Sequence, residues 1–264
     1  MPENIRQRIT HARIDKSVKI IDERAFDDCT NLLDVETHNG ITKVKRLAFF
    51  NCNSLRGRIK LLGVREIEAA AFQHCLSLTD AEFGKDLETI GSWAFNKCRS
   101  LRRIAIPLNI DFPLDSDNDF TQFIYCDKLA TVDLVGGIHK TISSLHFESW
   151  RDEMNQEIGR INRVLPNVNF LGKATAIQQW IDRVIDRIAH FKTQHNALLK
   201  QATTLLELAL WKAKLLDEYN GNDGQEGARV TRGRVKRARK ERCVTSGASI
   251  VIKNVLPFLQ LAEL

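Results

Sequence analysis

Hydrophobic and polar positions recur along the first half of the chain with a fixed period. In one copy of the pattern, Val64 and Ile67 precede Phe72 by eight and five residues, and Cys75 and Leu78 follow it by three and six. After the leucine, two more apolar positions alternate with polar ones, which predicts a short strand with one buried side. Each copy therefore predicts one coil of a repeat.

Five copies follow one another: AFDDCTNL, AFFNCNSL, AFQHCLSL, AFNKCRSL and QFIYCDKL. Their cysteines are 23, 23, 23 and 28 residues apart, and the longest step holds an insertion, IPLNIDFPLDSDNDF. Ile9, Ala12 and Ile14 fit the strand positions of an incomplete coil before the first copy. Since a period of ~20–29 residues is typical of leucine-rich solenoids, we predict an α+β repeat fold. It consists of about five 23-residue coils followed by a C-terminal helical region.

Five of the six cysteines occupy the same position of successive coils, where each should stack on the next. They are Cys29, Cys52, Cys75, Cys98 and Cys126. A free cysteine behaves as a small buried hydrophobe, so these residues are predicted to form a packing column. Disulfides are disfavoured because the stacked side chains run parallel, and zinc is disfavoured because no C-x-x-C pair exists. Cys243 lies outside the column and is predicted to be an exposed thiol.

The pattern Φ-x-x-I-x-x-x-A-F-x-x-C-x-x-L resembles the BspA-type leucine-rich repeat, over roughly residues 9 to 135. The resemblance implies a curved solenoid that recognises proteins or surfaces, and it implies no catalysis. The sequence also contains no G-x-S-x-G, P-loop or G-x-G-x-x-G motif. We therefore predict a non-enzymatic protein–protein interaction scaffold without a cofactor.

Composition and the N-terminal sequence indicate the expected cellular location. Hydrophobic residues make up 43% of the 264 residues, yet no run of 18 apolar residues exists, so no membrane-spanning helix is expected. The first residues, MPENIRQRITHARID, lack the apolar core of a signal peptide. We expect an intracellular protein, cytoplasmic or nuclear, with its thiols kept reduced.

The net charge of +6 comes from one short segment. Residues 1–142 contain 20 basic and 20 acidic residues, whereas residues 228–242 contain eight basic residues and one acid. The nuclear-import candidates within this basic tail are Lys236, Arg237, Arg239 and Lys240. The alternative function is therefore a nuclear or nucleic-acid-associated factor, and the simpler interpretation is a solvated helix. No aromatic residue is interleaved, which makes nucleic acid an unlikely partner.

The exposed strand positions of a solenoid form its usual binding surface. Here the sign of their charges alternates from coil to coil, which suits either cross-strand neutralisation or a mixed-charge face that docks a protein. A nucleic-acid track is disfavoured because it needs one continuous positive stripe. Gly57 within its strand predicts a bulge. The candidate residues are Asp34, Glu36, Arg56, Arg58, Lys60, Asp80, Glu82, Arg102, Arg103 and Asp133.

The insertion carries four aspartates, at positions 111, 115, 117 and 119. A calcium site is conceivable, but the segment lacks the glycine and the distal glutamate of an EF-hand loop. We predict a solvated loop and no metal.

Helical spacing begins after Gly136 and Gly137. A first helix is predicted from about Phe147 to Leu165, capped by Ser143 or Ser144, and a second from Ala174 to about Tyr219. Ten of the twelve heptad seam positions of the second helix are apolar, and the exceptions are His195 and Lys212. This seam fits either a local bundle or self-association into a homo-oligomer.

The predicted domains are a solenoid over residues 1–142, a coiled-coil-like helical region over 143–219, and a linker with a basic segment and an apolar helix over 220–264.

Overall fold

The computed structural model describes residues 3–117 and 119–222. The import candidates, Cys243 and the terminal apolar segment therefore lie outside the described residues. The chain divides into two compact units, Met1–Ser143 with Arg151–Asp186 and Ser144–Trp150 with Arg187–Leu264. The three-domain division drawn from the sequence stays a prediction.

Ten strands lie within the described residues, and a short helix, α1 (Glu3–Arg6), precedes them. In chain order the strands are β1 (His11–Arg13), β2 (Ile20–Ile21), β3 (Asp34–Glu36), β4 (Lys43–Val44), β5 (Gly57–Leu61), β6 (Glu66–Ile67), β7 (Leu78–Phe83), β8 (Thr89–Ile90), β9 (Arg103–Pro107) and β10 (Thr131–Val135).

Strands pair in parallel with their counterparts in neighbouring coils. β1 pairs with β3, whereas β5, β7, β9 and β10 form a four-stranded sheet, and β2, β4, β6 and β8 form another. In the second sheet Lys43 aligns with Glu66 and Glu66 with Thr89, so partners are one 23-residue coil apart. This confirms the predicted solenoid, with about four regular turns.

Phenylalanine rings form a column inside the coils. Phe49 stacks on Phe26 and on Phe72, with ring centroids 5.0 Å apart in both pairs. Phe72 and Phe95 continue the column at 5.2 Å, and Phe95 and Phe123 end it at 5.8 Å. The wider last step coincides with the insertion, where Phe112 meets Phe123 edge-on at 5.8 Å.

The five cysteines of the repeats are buried and free, as predicted. Four of the thiols also make a contact that the sequence did not predict: Cys52, Cys75, Cys98 and Cys126 each donate a hydrogen bond to the phenylalanine carbonyl of the preceding coil. The Sγ–O distance is 3.2 Å from Cys75 to Phe49 and 3.1 Å from Cys98 to Phe72. Burial raises the pKa of Cys29 to about 11 and also raises the pKa of Cys75, Cys98 and Cys126. The column therefore bonds neighbouring coils and holds its thiols protonated.

Each coil bends at residues with left-handed backbone. Non-glycine residues take positive φ at two equivalent positions in each of the first four copies, on both sides of the Ala-Phe pair, and at the second of these positions in the fifth. These residues are Arg24, Asp28, Leu47, Asn51, Ala70, His74, Trp93, Lys97 and Tyr125.

The insertion extends the solenoid before it loops out. Asp111 bridges Thr89 of β8 in parallel, so the insertion begins as a further rung of the second sheet. Gln122 replaces the alanine of the other copies and is fully buried. Its Nε2 donates to the Pro113 carbonyl at 2.7 Å, which fastens the loop to the last coil.

Three helices follow the strands: α2 (Ile138–Ser143), α3 (Glu148–Val164) and α4 (Lys173–Asn222). A short 3-10 turn, Leu165–Asn167, separates α3 from α4. Because α3 begins at Glu148 and Ser143 ends α2, the prediction that Ser143 or Ser144 caps the first long helix is wrong. The second long helix is continuous and extends slightly past both predicted ends.

The helical residues of the first unit contact the last coil. The Asn162 side chain accepts a hydrogen bond from the Val132 amide at 2.8 Å, on the outer strand of its sheet. Lys173 is 1% exposed, and its Nζ donates to the carbonyls of Leu129 at 2.7 Å and Leu165 at 3.0 Å. Burial lowers the pKa of Lys173. Backbone groups that end the repeat are thus satisfied by side chains of α3 and α4.

Candidate interaction surface

The candidate surface is the strand face, which we define as the solvent-side residues on or beside β1, β3, β5, β7, β9 and β10. Parallel register places Arg58 opposite Asp80, and Asp80 opposite Arg103. One row further along, Lys60 lies opposite Glu82. The alternating charges of the sequence therefore lie on neighbouring strands.

From β5 to β10, several of these charges pair with one another. Arg58 Nη1 lies 3.3 Å from Glu82 Oε2, and Arg103 Nε lies 2.5 Å from Asp133 Oδ2. Both pairs run diagonally between neighbouring strands. Because the four side chains are partly exposed, each pair contributes only about 0–1 kcal/mol. Four of the eight candidate charges on or beside these strands are therefore paired with one another.

Of the six remaining candidates, Asp80 accepts a hydrogen bond from the Thr79 hydroxyl at 2.7 Å, and the other five are not compensated in this way. Asp34, Glu36, Arg56, Lys60 and Arg102 are all exposed. Among the described residues, none of the five has an ion-pair partner within 4.0 Å. Four of them flank the same place, between β3 and β5, and both signs of charge are present there.

A break in the sheet separates β3 from β5. Gly57 has φ +77°, and the register shifts between Gly57 and Arg58, which confirms the predicted bulge. The Arg56 amide still donates to the Leu33 carbonyl at 3.1 Å, and the Thr37 hydroxyl donates to the Lys60 carbonyl. We call this place the strand break. It carries Asp34 and Glu36 on one side and Arg56 and Lys60 on the other.

The second sheet shows the opposite behaviour. Lys43 Nζ lies 2.6 Å from Glu68 and 2.9 Å from Glu66, and Lys45 Nζ lies 2.8 Å from Asp22. The hydrogen bond that Lys43 donates to Glu68 is the main reason that the pKa of Lys43 is raised. The charges of this sheet are therefore satisfied between coils, unlike those at the strand break.

The aspartates of the insertion are arranged as a turn. Asp115 Oδ1 accepts the backbone amides of Asp117 and Asp119, both at 3.0 Å. Within residues 3–117 and 119–222, no group of three or more His, Cys, Asp or Glu side chains could hold a metal ion. Asp115 thus uses one of its oxygens to shape the loop.

Two residues of the strand face were missed from the sequence. His11 aligns with Asp34 and Arg13 aligns with Glu36, and both side chains of β1 are exposed. The sequence contains a signal for them, since Ile9, Ala12 and Ile14 fit strand positions and the residues between them face outward.

No described helix is long and apolar enough to cross a membrane.

Comparison with known proteins gives a family and a set of structures. A family model described as "BspA type Leucine rich repeat region" matches six copies within residues 5–116 and 58–153. No curated protein matches the chain.

Solved structures of bacterial leucine-rich repeat proteins are similar to part of the chain. A leucine-rich repeat protein from T. pallidum is 26% identical over 50% of this chain and 63% of that one, with a TM-score of 0.44. Another, from Eubacterium ventriosum, is 20% identical over 48% and 33%, with a TM-score of 0.38. A third, from Bacteroides ovatus, is 20% identical over 49% and 38%, with a TM-score of 0.37. The chain thus spans less than two thirds of each of these proteins.

Proposed function

The chain belongs to the BspA-type leucine-rich repeat family, and we propose that it is a protein-interaction scaffold whose docking surface is the strand break. The family suggests such a scaffold, and its members are typically not enzymes. We extend both properties to this chain, with a protein as the partner and no cofactor.

The uncompensated charge at the strand break carries the proposal. Ion pairs between coils join charged side chains at several other places on the repeats, while Asp34, Glu36, Arg56 and Lys60 lie together without such pairs. A partner with basic groups for the two acids and acidic groups for the two bases would complete them. Opposite charges across an interface fix register and raise association rates. A nucleic-acid backbone could satisfy only the basic half.

Charge reversal at the break tests the site. The intact chain is immobilised, and retained proteins are quantified by mass spectrometry for the wild type, for Asp34→Lys with Glu36→Lys, and for Arg56→Glu with Lys60→Glu. We expect the same specific protein to be lost from both variants. The matched control reverses the Asp22–Lys45 pair of the second sheet, Asp22→Lys with Lys45→Glu, and should keep the partner. Equal retention on all four baits contradicts a site at the strand break.

For the helices we propose two roles, capping and self-association. Capping is supported by the bonds from Val132 to Asn162 and from Lys173 to Leu129, which occupy backbone groups at the last coil. A solenoid needs a polar cover over its final repeat. The thermal stability of Lys173→Met tests this role. Self-association is supported by the exposed apolar residues in the far half of α4.

The alternative is a nuclear or nucleic-acid-associated factor that acts through the basic tail. Its support is local charge, since residues 228–242 carry eight of the 39 basic residues and only one acid. A fluorescent fusion with and without these residues, in a eukaryotic cell, tests nuclear import. Retention on a polyanion resin at increasing salt tests nucleic-acid contact. Unchanged location and unchanged retention would eliminate this alternative.

A further inference from the structure

The far half of α4 exposes an apolar strip. Leu205, Leu208, Trp211 and Leu215 are 61%, 56%, 65% and 46% exposed. Their spacing of three, three and four residues places them on one side of the helix. Earlier in the same helix Phe191 is only 2% exposed. Side chains of this size and exposure, in a row, mark a surface that another element covers.

Charged residues lie along both edges of this apolar strip. If Leu208 and Leu215 are a positions of a heptad and Trp211 is the d position between them, Glu207 and Lys214 are g positions. In this register, which differs from the seam predicted from the sequence, Lys212 is an e position on the other edge. In the described part of the chain, none of these three charged side chains has an ion-pair partner.

The order of these charges favours one occupant and one orientation. When two copies of the strip pack antiparallel, g positions face g positions, so Glu207 of each copy meets Lys214 of the other. The twofold axis then passes near residue 210. Parallel packing brings Glu207 to Lys212 of the second copy and leaves Lys214 unmatched. We propose that α4 pairs antiparallel with α4 of a second copy through the apolar strip. The proposal rests on the scaffold function, because the dimer presents two strand faces to partners.

The size of the strip sets the expected affinity. With roughly 150–250 Å² for a large side chain, the four exposed fractions amount to about 340–570 Å² per copy. A pair would bury about 700–1,100 Å², which is the size of a weak, transient interface. The dimer should therefore be reversible, with a dissociation constant in the micromolar range.

Sedimentation of the full chain from about 1 µM to about 1 mM tests the dimer. We expect a concentration-dependent dimer that Leu208→Glu weakens by at least about 100-fold. Glu207→Lys and Lys214→Glu should each weaken it by about threefold to tenfold, and the double variant should return to within about twofold of the wild type. Circular dichroism checks that every variant keeps its helix content.

Several outcomes overturn the proposal. One is a monomer at every concentration, including a monomer whose strip is covered by its own residues 248–261. Another is rescue of Glu207→Lys by Lys212→Glu instead of Lys214→Glu, which indicates parallel packing. The proposed docking site is judged separately, because Leu208→Glu should keep the partner that the strand break retains, and Arg56→Glu with Lys60→Glu should keep the dimer.

Discussion

Apolar residues are buried in the interior of the coils, whereas several are exposed in the far half of α4. Phe49, Phe72 and Phe95 are 0% exposed because the next coil places an identical ring over each. Leu208 and Trp211 have equally regular spacing, yet more than half of each side chain is exposed. Periodicity is present in both regions, and burial is present in only one.

The difference lies in where the partner of each residue is encoded. In a repeat, the residue 23 positions away is the neighbour, so one chain contains both sides of every contact. In a long helix, heptad spacing predicts which side is buried but does not identify the element that covers it. The following predictions test that difference, and the largest effect comes first.

Alkaline pH should destabilise the solenoid through its buried thiols. Burial raises the pKa of Cys75, Cys98 and Cys126 in the folded protein, whereas the unfolded thiols ionise near pH 8.5. Their stabilisation is complete below that pH and is lost as the pH rises towards the folded pKa. Each thiol that is still protonated in the folded protein lowers the free energy of unfolding by about 1.4 kcal/mol for every pH unit above the unfolded pKa. Urea unfolding at several pH values measures this, and Cys98→Ala should reduce the slope while Leu208→Glu leaves it unchanged.

Removing one ring from the phenylalanine column should lower the free energy of unfolding far more than removing an apolar side chain from the strip of α4. Phe72→Ala should lower the free energy of unfolding by about 3–5 kcal/mol, because the ring is buried between Phe49 and Phe95. Leu208→Ala should change it by less than about 0.5 kcal/mol below the concentration at which dimers form. Equal losses in dilute urea titrations would refute the contrast between the two regions.

Lys173→Met should lower the stability of the protein by an intermediate amount. The change removes the donor to the Leu129 and Leu165 carbonyls, and an unsatisfied buried acceptor costs about 1–3 kcal/mol. Lys200→Met, at an exposed position of the same helix, is the matched control and should have almost no effect. Thermal unfolding compares the two. If both variants melt with the wild type, the proposal that Lys173 caps the last coil fails.

The smallest effect separates packing from hydrogen bonding in the cysteine column. Cys98→Ala loses the thiol donor to Phe72 and some volume, with an expected loss of about 1–2 kcal/mol. Cys98→Ser keeps a donor at the same carbonyl and should lose less. A serine variant that is less stable than the alanine variant would show that the thiol acts through packing alone.

Local patterns predicted most of the fold correctly. The spacing of Phe, Cys and Leu predicted the coils and their parallel stacking, and Gly57 predicted the bulge. The helix cap was predicted wrongly, since a serine before an apolar run is a weak signal and α2 ends where the cap was expected. Asn162 and Lys173 were missed because each looks like an ordinary polar residue until the last coil lies beside it.

The amino-acid order alone established the repeat, its register and its buried columns, because every residue there contacts its own counterpart one coil away. The pairing of charges depended on the fold, since Arg58 bonds to Glu82 on the diagonal while Asp80 lies opposite it. The same holds for the strand break and for the exposed strip of α4. Those features depend on distances between side chains remote in the chain, and a local pattern contains no such distances.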